Sequence, residues 1–154
     1  MKILMVCLGN ICRSPMAEGI LRHKLDQHGI NAEVDSAGFE PFHKGDPPDR
    51  RSVEITRKYG IDISGTRSRL FNVRDFDHYD KIFVMDNRNY MDVMYEARNE
   101  DDKEKVDFLL NQINPESKSE VPDPYYGGNE GFENVFRLIN QACDRIIIDL
   151  KTSK

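Results

Sequence analysis

Cys7 and Arg13 stand at C-x5-R spacing in the stretch Val6-Cys7-Leu8-Gly9-Asn10-Ile11-Cys12-Arg13-Ser14-Pro15, which pairs a thiol with a fixed cation. A cysteine thiolate is a nucleophile, and the planar fork of an arginine holds two oxygens of a tetrahedral anion in a way that a lysine cannot. The apolar run from Ile3 to Val6 reads as a short buried strand, and Ser14 and Pro15 read as N-cap and first residue of a helix. The residues between them form a strand-to-helix loop. Its N–H groups, with the positive end of the following helix, suit a phosphate-sized dianion. Cys7 is expected on the floor of that concavity, where the field favours thiolate over thiol. Leu8, Gly9, Asn10, Ile11 and Cys12 would form the cradle and Arg13 would close it. Ser14 is placed to hydrogen-bond the sulfur as well as to cap the helix.

Spacing alone is weak, since a chain of this composition holds a C-x5-R by chance about once in four or five sequences. Context makes it specific. The match follows a buried strand, contains Gly9 and Asn10 where a loop needs unusual backbone angles, and ends in a helix-start signal. A cysteine that takes a phosphoryl group from an oxygen also needs a proton donor for the departing oxygen. Asp123 is the candidate, in Val121-Pro122-Asp123-Pro124-Tyr125-Tyr126-Gly127-Gly128, although Asp-Pro by itself is a common turn former.

The run Val6 to Pro15 resembles the phosphate-binding loop of the low molecular weight protein tyrosine phosphatases. Asp123-Pro124-Tyr125-Tyr126 is similar, residue for residue, to the general-acid loop of the same family. The resemblance covers nearly the whole chain. It implies hydrolysis of phosphotyrosine and small aryl phosphates through a phosphocysteine, with Cys7, Arg13 and Asp123 as catalytic residues. Leu8, Phe42, Tyr125 and Tyr126 would wall an aromatic ring, and inorganic phosphate would be the product. It further implies that Asn10 holds the loop through a side-chain network with Ser36 as partner, and that Asp86 gives structural support. Where many relatives have a histidine and a variable-loop tryptophan, this chain has Thr66 and Phe42.

Related chemistries fit less well. A thiol-linked arsenate reductase would need further cysteines mid-chain, and none lies between Arg13 and Ala142. A phosphocysteine carrier domain would need no aspartic acid loop. Nucleotide-binding glycine patterns are absent from the sequence. No cluster at metal-ligand spacing is evident, so neither a metal nor another cofactor is expected.

The elements that must position these residues follow from length and patterning. A chain of 154 residues suits one domain, taken as residues 1–154. Its net charge of −5 argues against nucleic acid or an anionic membrane as the main partner. No apolar stretch approaches a membrane span, and three cysteines without CxxC pairs suit reduced thiols, so a cytoplasmic monomer is expected. Ala17, Ile20, Leu21 and Leu25 mark a first helix that ends near His28-Gly29, and a second strand is read at 32–36. A breaker-rich connection leads to a helix capped by Asp49, then to a short strand near 68–71. Lys81 to Met85 reads as a buried strand with Asp86 at its end, followed by a helix over 87–97 and, over 99–105, a solvated connection or, from its charge run, a frayed helical turn. The segment 106–110 reads as strand or helix, with a short edge strand or extended segment favoured. A long last helix carries Phe132, Val135, Phe136, Ile139, Cys143, Ile146, Ile147 and Leu150 on one face, which makes Cys143 a packing residue. The sum is an α/β three-layer sandwich: a four-stranded parallel sheet flanked by helices, with the phosphate-binding loop between first strand and first helix. Cys12 either comes within disulfide reach of Cys7 or is an inert packed thiol.

Overall fold

Strand β1 (Lys2–Val6) is apolar after its first residue, and Ile3, Leu4, Met5 and Val6 are all fully buried. Because side chains alternate along a strand, Ile3 and Met5 enter one apolar cluster and Leu4 and Val6 the other. The computed structural model, which describes residues 1–125 and 128–152, places β1 at the centre of a four-stranded parallel sheet of order β2-β1-β3-β4. Its neighbours are β2 (Glu33–Ala37) and β3 (Lys81–Val84), and β4 (Val106–Phe108) is an edge strand beyond β3. The expected three-layer sandwich is the observed one.

Helix α1 (Arg13–Gln27) covers the Ile3 and Met5 face and ends at His28, with Gly29 in the left-handed region at φ 63°. Beside it pack α2 (Arg50–Lys58) and a long C-terminal helix that supplies Phe132, Val135, Ile139, Cys143 and Ile146 to the same cluster. The opposite face is covered by α3 (Asp75–His78) through Phe76 and by α4 (Asn87–Glu96) through Val93. Helix α5 (Glu100–Glu104) precedes β4, and α6 (Asn129–Thr152) is the long C-terminal helix. None of the described helices is long and apolar enough to cross a membrane.

Two local expectations change, and two short helices go beyond the main reading of the sequence. Helix α1 begins at Arg13, one residue ahead of Ser14; Cys12 holds the cap position without a side-chain cap, and Ser14 is inside the first turn. The segment near 68–71 forms only one parallel bridge, Gly38 to Leu70, because its other backbone groups serve loops. Helix α3 lacks a sequence signal of its own, being too short for an apolar period to register. Of the two readings of 99–105 the structure shows the helical turn, α5, nucleated where the Asn99 side chain accepts from the N–H of Asp102 at 2.9 Å.

The order β2-β1-β3 places the reversal of strand order between β1 and β3, and ligands of open α/β sheets bind in the crevice outside the carboxyl ends of the strands at that point. Cys7 follows β1 and Asp86 follows β3, so both stand at the lip of that crevice.

Candidate active site

Between β1 and α1 the chain curls around the side chain of Cys7, a residue 2% exposed. Asn10 makes the curl possible by adopting φ 56°, a left-handed conformation that asparagine tolerates better than most residues. Gly9 takes no such angle; what it supplies is space, since a Cβ there would stand 3.2 Å from the His43 ring. Gly38 is tighter still. A Cβ at that position would meet the Leu8 carbonyl oxygen at 2.8 Å and the Asn10 nitrogen at 2.9 Å.

The loop is held from outside by its carbonyls. Leu8 O accepts from Phe39 N at 2.7 Å, Gly9 O from the Ser68 hydroxyl at 3.0 Å, and Ile11 O from Asp49 N at 2.7 Å. With the carbonyls turned outward, none of the amides of residues 8–13 donates to another described residue. These donors remain for an anion. The Ser14 hydroxyl lies 3.0 Å from the Cys7 sulfur, and its N–H donates to the same sulfur at 3.4 Å. Asn10 Nδ2 donates to Ser14 Oγ at 2.7 Å, and Asn10 Oδ1 accepts from Arg69 N at 3.0 Å. The Asn10 partners are therefore Ser14 and the Arg69 backbone, not Ser36. The Ser36 hydroxyl donates instead to Glu18, because β2 directs it toward α1.

Arg13 is 2% exposed and fixed by three groups. Its Nη1 donates to Asp86 at 2.7 Å and to the Val121 carbonyl at 3.0 Å, and its Nη2 lies 3.5 Å from Asp123 Oδ2. Burial works against its charge, but the Cys7 sulfur and the carboxylates of Asp86 and Asp123 outweigh burial and hold the guanidinium above its ordinary value. Asp86 also caps α4, accepting from Asn89 N at 2.9 Å, so the support read for it is visible in two bonds. Cys12, the last residue of the loop, is a buried free thiol. Burial, with Asp49, Cys7 and Asp123 nearby, pushes that thiol far above the usual cysteine range.

One pocket gathers Cys7, Leu8, Gly9, Ile11, Cys12, Arg13, Phe42, Asp123 and Tyr125. Asn10 and Ser14 stand behind its wall, and Tyr126 lies outside the described residues. Phe42 is 74% exposed and rests against His43, so it forms a rim and not a closed wall. Sequence reading missed two lining residues. His43, with Nδ1 3.3 Å from Asp46 and Nε2 3.7 Å from Glu40, faces the Tyr125 ring edge-on, and Glu40 reaches the same pocket. Both lie in the breaker-rich connection, where no periodic pattern marks the residues that turn inward.

A thiol, unspent amides, a buried arginine and a carboxylate around one cavity are equipped to hold a phosphoryl group. Residues 2–154 match the family model described as "Low molecular weight phosphotyrosine protein phosphatase". The chain belongs to this family. The low molecular weight protein-tyrosine-phosphatase YfkJ of Bacillus subtilis is 37% identical over 154 residues, covering 99% of this chain and 97% of that one. A solved protein tyrosine phosphatase from Entamoeba histolytica superposes with a TM-score of 0.91 at 37% identity, over 98% of this chain and 97% of the other. A Drosophila arginine phosphatase superposes with a TM-score of 0.92 at 31% identity, over 100% of both chains. The present phosphatase is thus a hydrolase with the fold shared by these proteins.

Proposed function

We propose that this chain hydrolyses phosphotyrosine and small aryl phosphates by two displacements at phosphorus, acting as a single 1–154 domain on phosphoproteins. The observation that carries the reading is that Arg13 and Asp123, 110 positions apart in sequence, meet over the Cys7 pocket. The Cys7 thiolate attacks phosphorus in line. A sulfur–phosphorus bond forms as the bond to the phenolic oxygen breaks, while Arg13 and the loop amides hold the equatorial oxygens. Asp123 gives its proton to the departing oxygen. The ionised Asp123 then takes a proton from a water that attacks the phosphocysteine, the sulfur leaves as thiolate, and inorganic phosphate is released. The Ser14 hydroxyl, 3.0 Å from the sulfur, stabilises the thiolate at both ends of the cycle.

Leu8, Ile11, Phe42 and Tyr125 line the same cavity and suit a flat aryl group. The second reading, a phosphorylated guanidine, is favoured by the likeness to the Drosophila arginine phosphatase. Kinetics on matched phosphotyrosine and phosphoarginine peptides decide between them. Acid-quenched Cys7-linked phosphate during aryl phosphate turnover is the expected intermediate. Cys7→Ser should abolish turnover while keeping vanadate affinity within about tenfold, because the amides and Arg13 remain. Retained turnover in that variant would remove Cys7 as nucleophile.

A further inference from the structure

The Asp123 segment needs an anchor on each side if its carboxyl is to meet a leaving oxygen, because a small misplacement of a proton donor is costly in rate. On its N-terminal side the anchor is Val121, whose N–H donates to Met85 O at 2.8 Å and whose carbonyl accepts from Arg13 at 3.0 Å. On its C-terminal side the structure offers Arg51. Arg51 Nη2 donates to the Tyr125 carbonyl at 2.8 Å, and the N–H of Tyr125 donates to Asp123 Oδ1 at 3.0 Å. The single residue Tyr125 thus links the guanidinium to the carboxylate that it steadies.

Arg51 is itself fixed. The Asp49 carboxylate accepts from Arg51 N at 2.9 Å, Nε at 3.1 Å and Nη2 at 3.2 Å. The guanidinium carbon lies 4.5 Å from the centre of the Phe132 ring and 5.8 Å from that of Tyr125. Asp49 in turn is bound to the phosphate loop through its N–H on Ile11 O at 2.7 Å, and Ser52 donates to Cys12 O at 3.4 Å. The start of α2 is therefore joined to the loop that holds the nucleophile, and Arg51 extends that frame across to the segment that holds the acid.

We propose that Arg51 is a positioning residue that sets the Asp123 carboxyl over the leaving-group side of the pocket, in register with Cys7. This rests on Asp123 being the general acid. A lysine would keep the charge but not the fork that serves Asp49 and Tyr125 together.

The experiment compares wild type, Arg51→Met, Arg51→Lys, Asp123→Ala and Arg51→Met/Asp123→Ala on phenyl phosphate and on an activated nitrophenyl phosphate, with vanadate affinity and thermal melting as controls. Met keeps much of the packing on Phe132, and the exposed Arg50→Met, whose partner is Glu54, controls for lost charge. The expected result is a kcat loss of about tenfold or more for phenyl phosphate in Arg51→Met, against about threefold or less for the activated ester. Vanadate affinity stays within about threefold, Arg51→Lys recovers only part of the loss, and the double variant is no slower than Asp123→Ala alone within about twofold. Equal losses on both esters, a change confined to KM, or additive losses in the double variant would overturn the proposal for Arg51. If Asp123→Ala itself shows no dependence on leaving group, the acid assignment fails first, and the two failures are told apart.

Discussion

Asp123 Oδ1 accepts from the N–H of Tyr125 at 3.0 Å and its Oδ2 lies 3.5 Å from Arg13 Nη2, which holds the carboxyl at the lining of the Cys7 pocket. Removing it should cost about 10²- to 10⁴-fold in kcat for phenyl-type leaving groups and far less for nitrophenyl-type ones, read by steady-state kinetics across a leaving-group series. Equal losses across the series would assign the acid elsewhere. The cysteines separate by environment. Burial pushes the Cys143 thiol up to about 12 and the Cys12 thiol higher, so neither presents a thiolate at neutral pH. Iodoacetate at pH 7 is therefore expected to modify Cys7 first, with one carboxymethyl group by mass and loss of activity in step with it; a modified Cys12 peptide at partial inactivation would contradict this. At this scale much was legible in sequence, because a thiol, an arginine and an Asp-Pro loop carry their chemistry in their residue types. His43, Glu40 and Arg51 were not, since each gains its role only from what folds against it.

Among the elements, the phosphate loop depends on neighbours that hold its carbonyls and on a glycine that it nearly touches. Gly38→Ala would place a methyl group 2.8 Å from the Leu8 carbonyl oxygen, and backbone on both sides must move. The expected outcome is a fall in vanadate affinity and kcat of about tenfold or more with the sheet retained, measured by inhibition kinetics beside circular dichroism. Unchanged affinity would show that the loop accommodates the methyl group. Strands β1 and β3 could be read because both faces are buried and the apolar run is unbroken, and helix α6 because its buried face repeats every three to four residues. Helix α3 could not, since it is a single turn set by local side-chain bonds: Asp75 accepts from Asn72 N at 2.8 Å, and Asn72 from Arg74 N at 2.9 Å. The start of α1 was misread for a related reason. Ser14 looks like a cap, but its hydroxyl is spent on Cys7 and Asn10, so the function of the loop overrides the local preference.

For the whole molecule, the two buried thiols outside the proposed chemistry make stability depend on pH. An unfolded cysteine ionises near its reference value of 9.0, whereas folded Cys12 and Cys143 remain protonated well above it. The folded state then binds more protons than the unfolded one, and stability falls as pH rises above about 9, continuing toward the raised folded values. Urea unfolding at pH 7.5 and pH 10 should show the decline, and Cys143→Ala should make it shallower. An unchanged slope would exclude Cys143 as a contributor. Catalysis itself should survive dialysis against a chelator, since Arg13 and the amides supply the positive field that a cation would otherwise provide. Dependence on one specific added cation would refute this.

The attachment of Arg13 to both Asp86 and Val121 also bears on the order in which the protein comes into being. A ribosome releases the nucleophile's loop early and Asp86 midway, but the Val121 carbonyl and the Asp123 carboxylate that complete the surroundings of its arginine arrive only with the last third of the chain. Until then that cation has no reason to leave water, and the half-made polypeptide has a thiol without a formed oxyanion cradle. Competence to bind phosphate should therefore appear abruptly as the C-terminal helix emerges and docks, so that a chain interrupted during translation is silent rather than partly active.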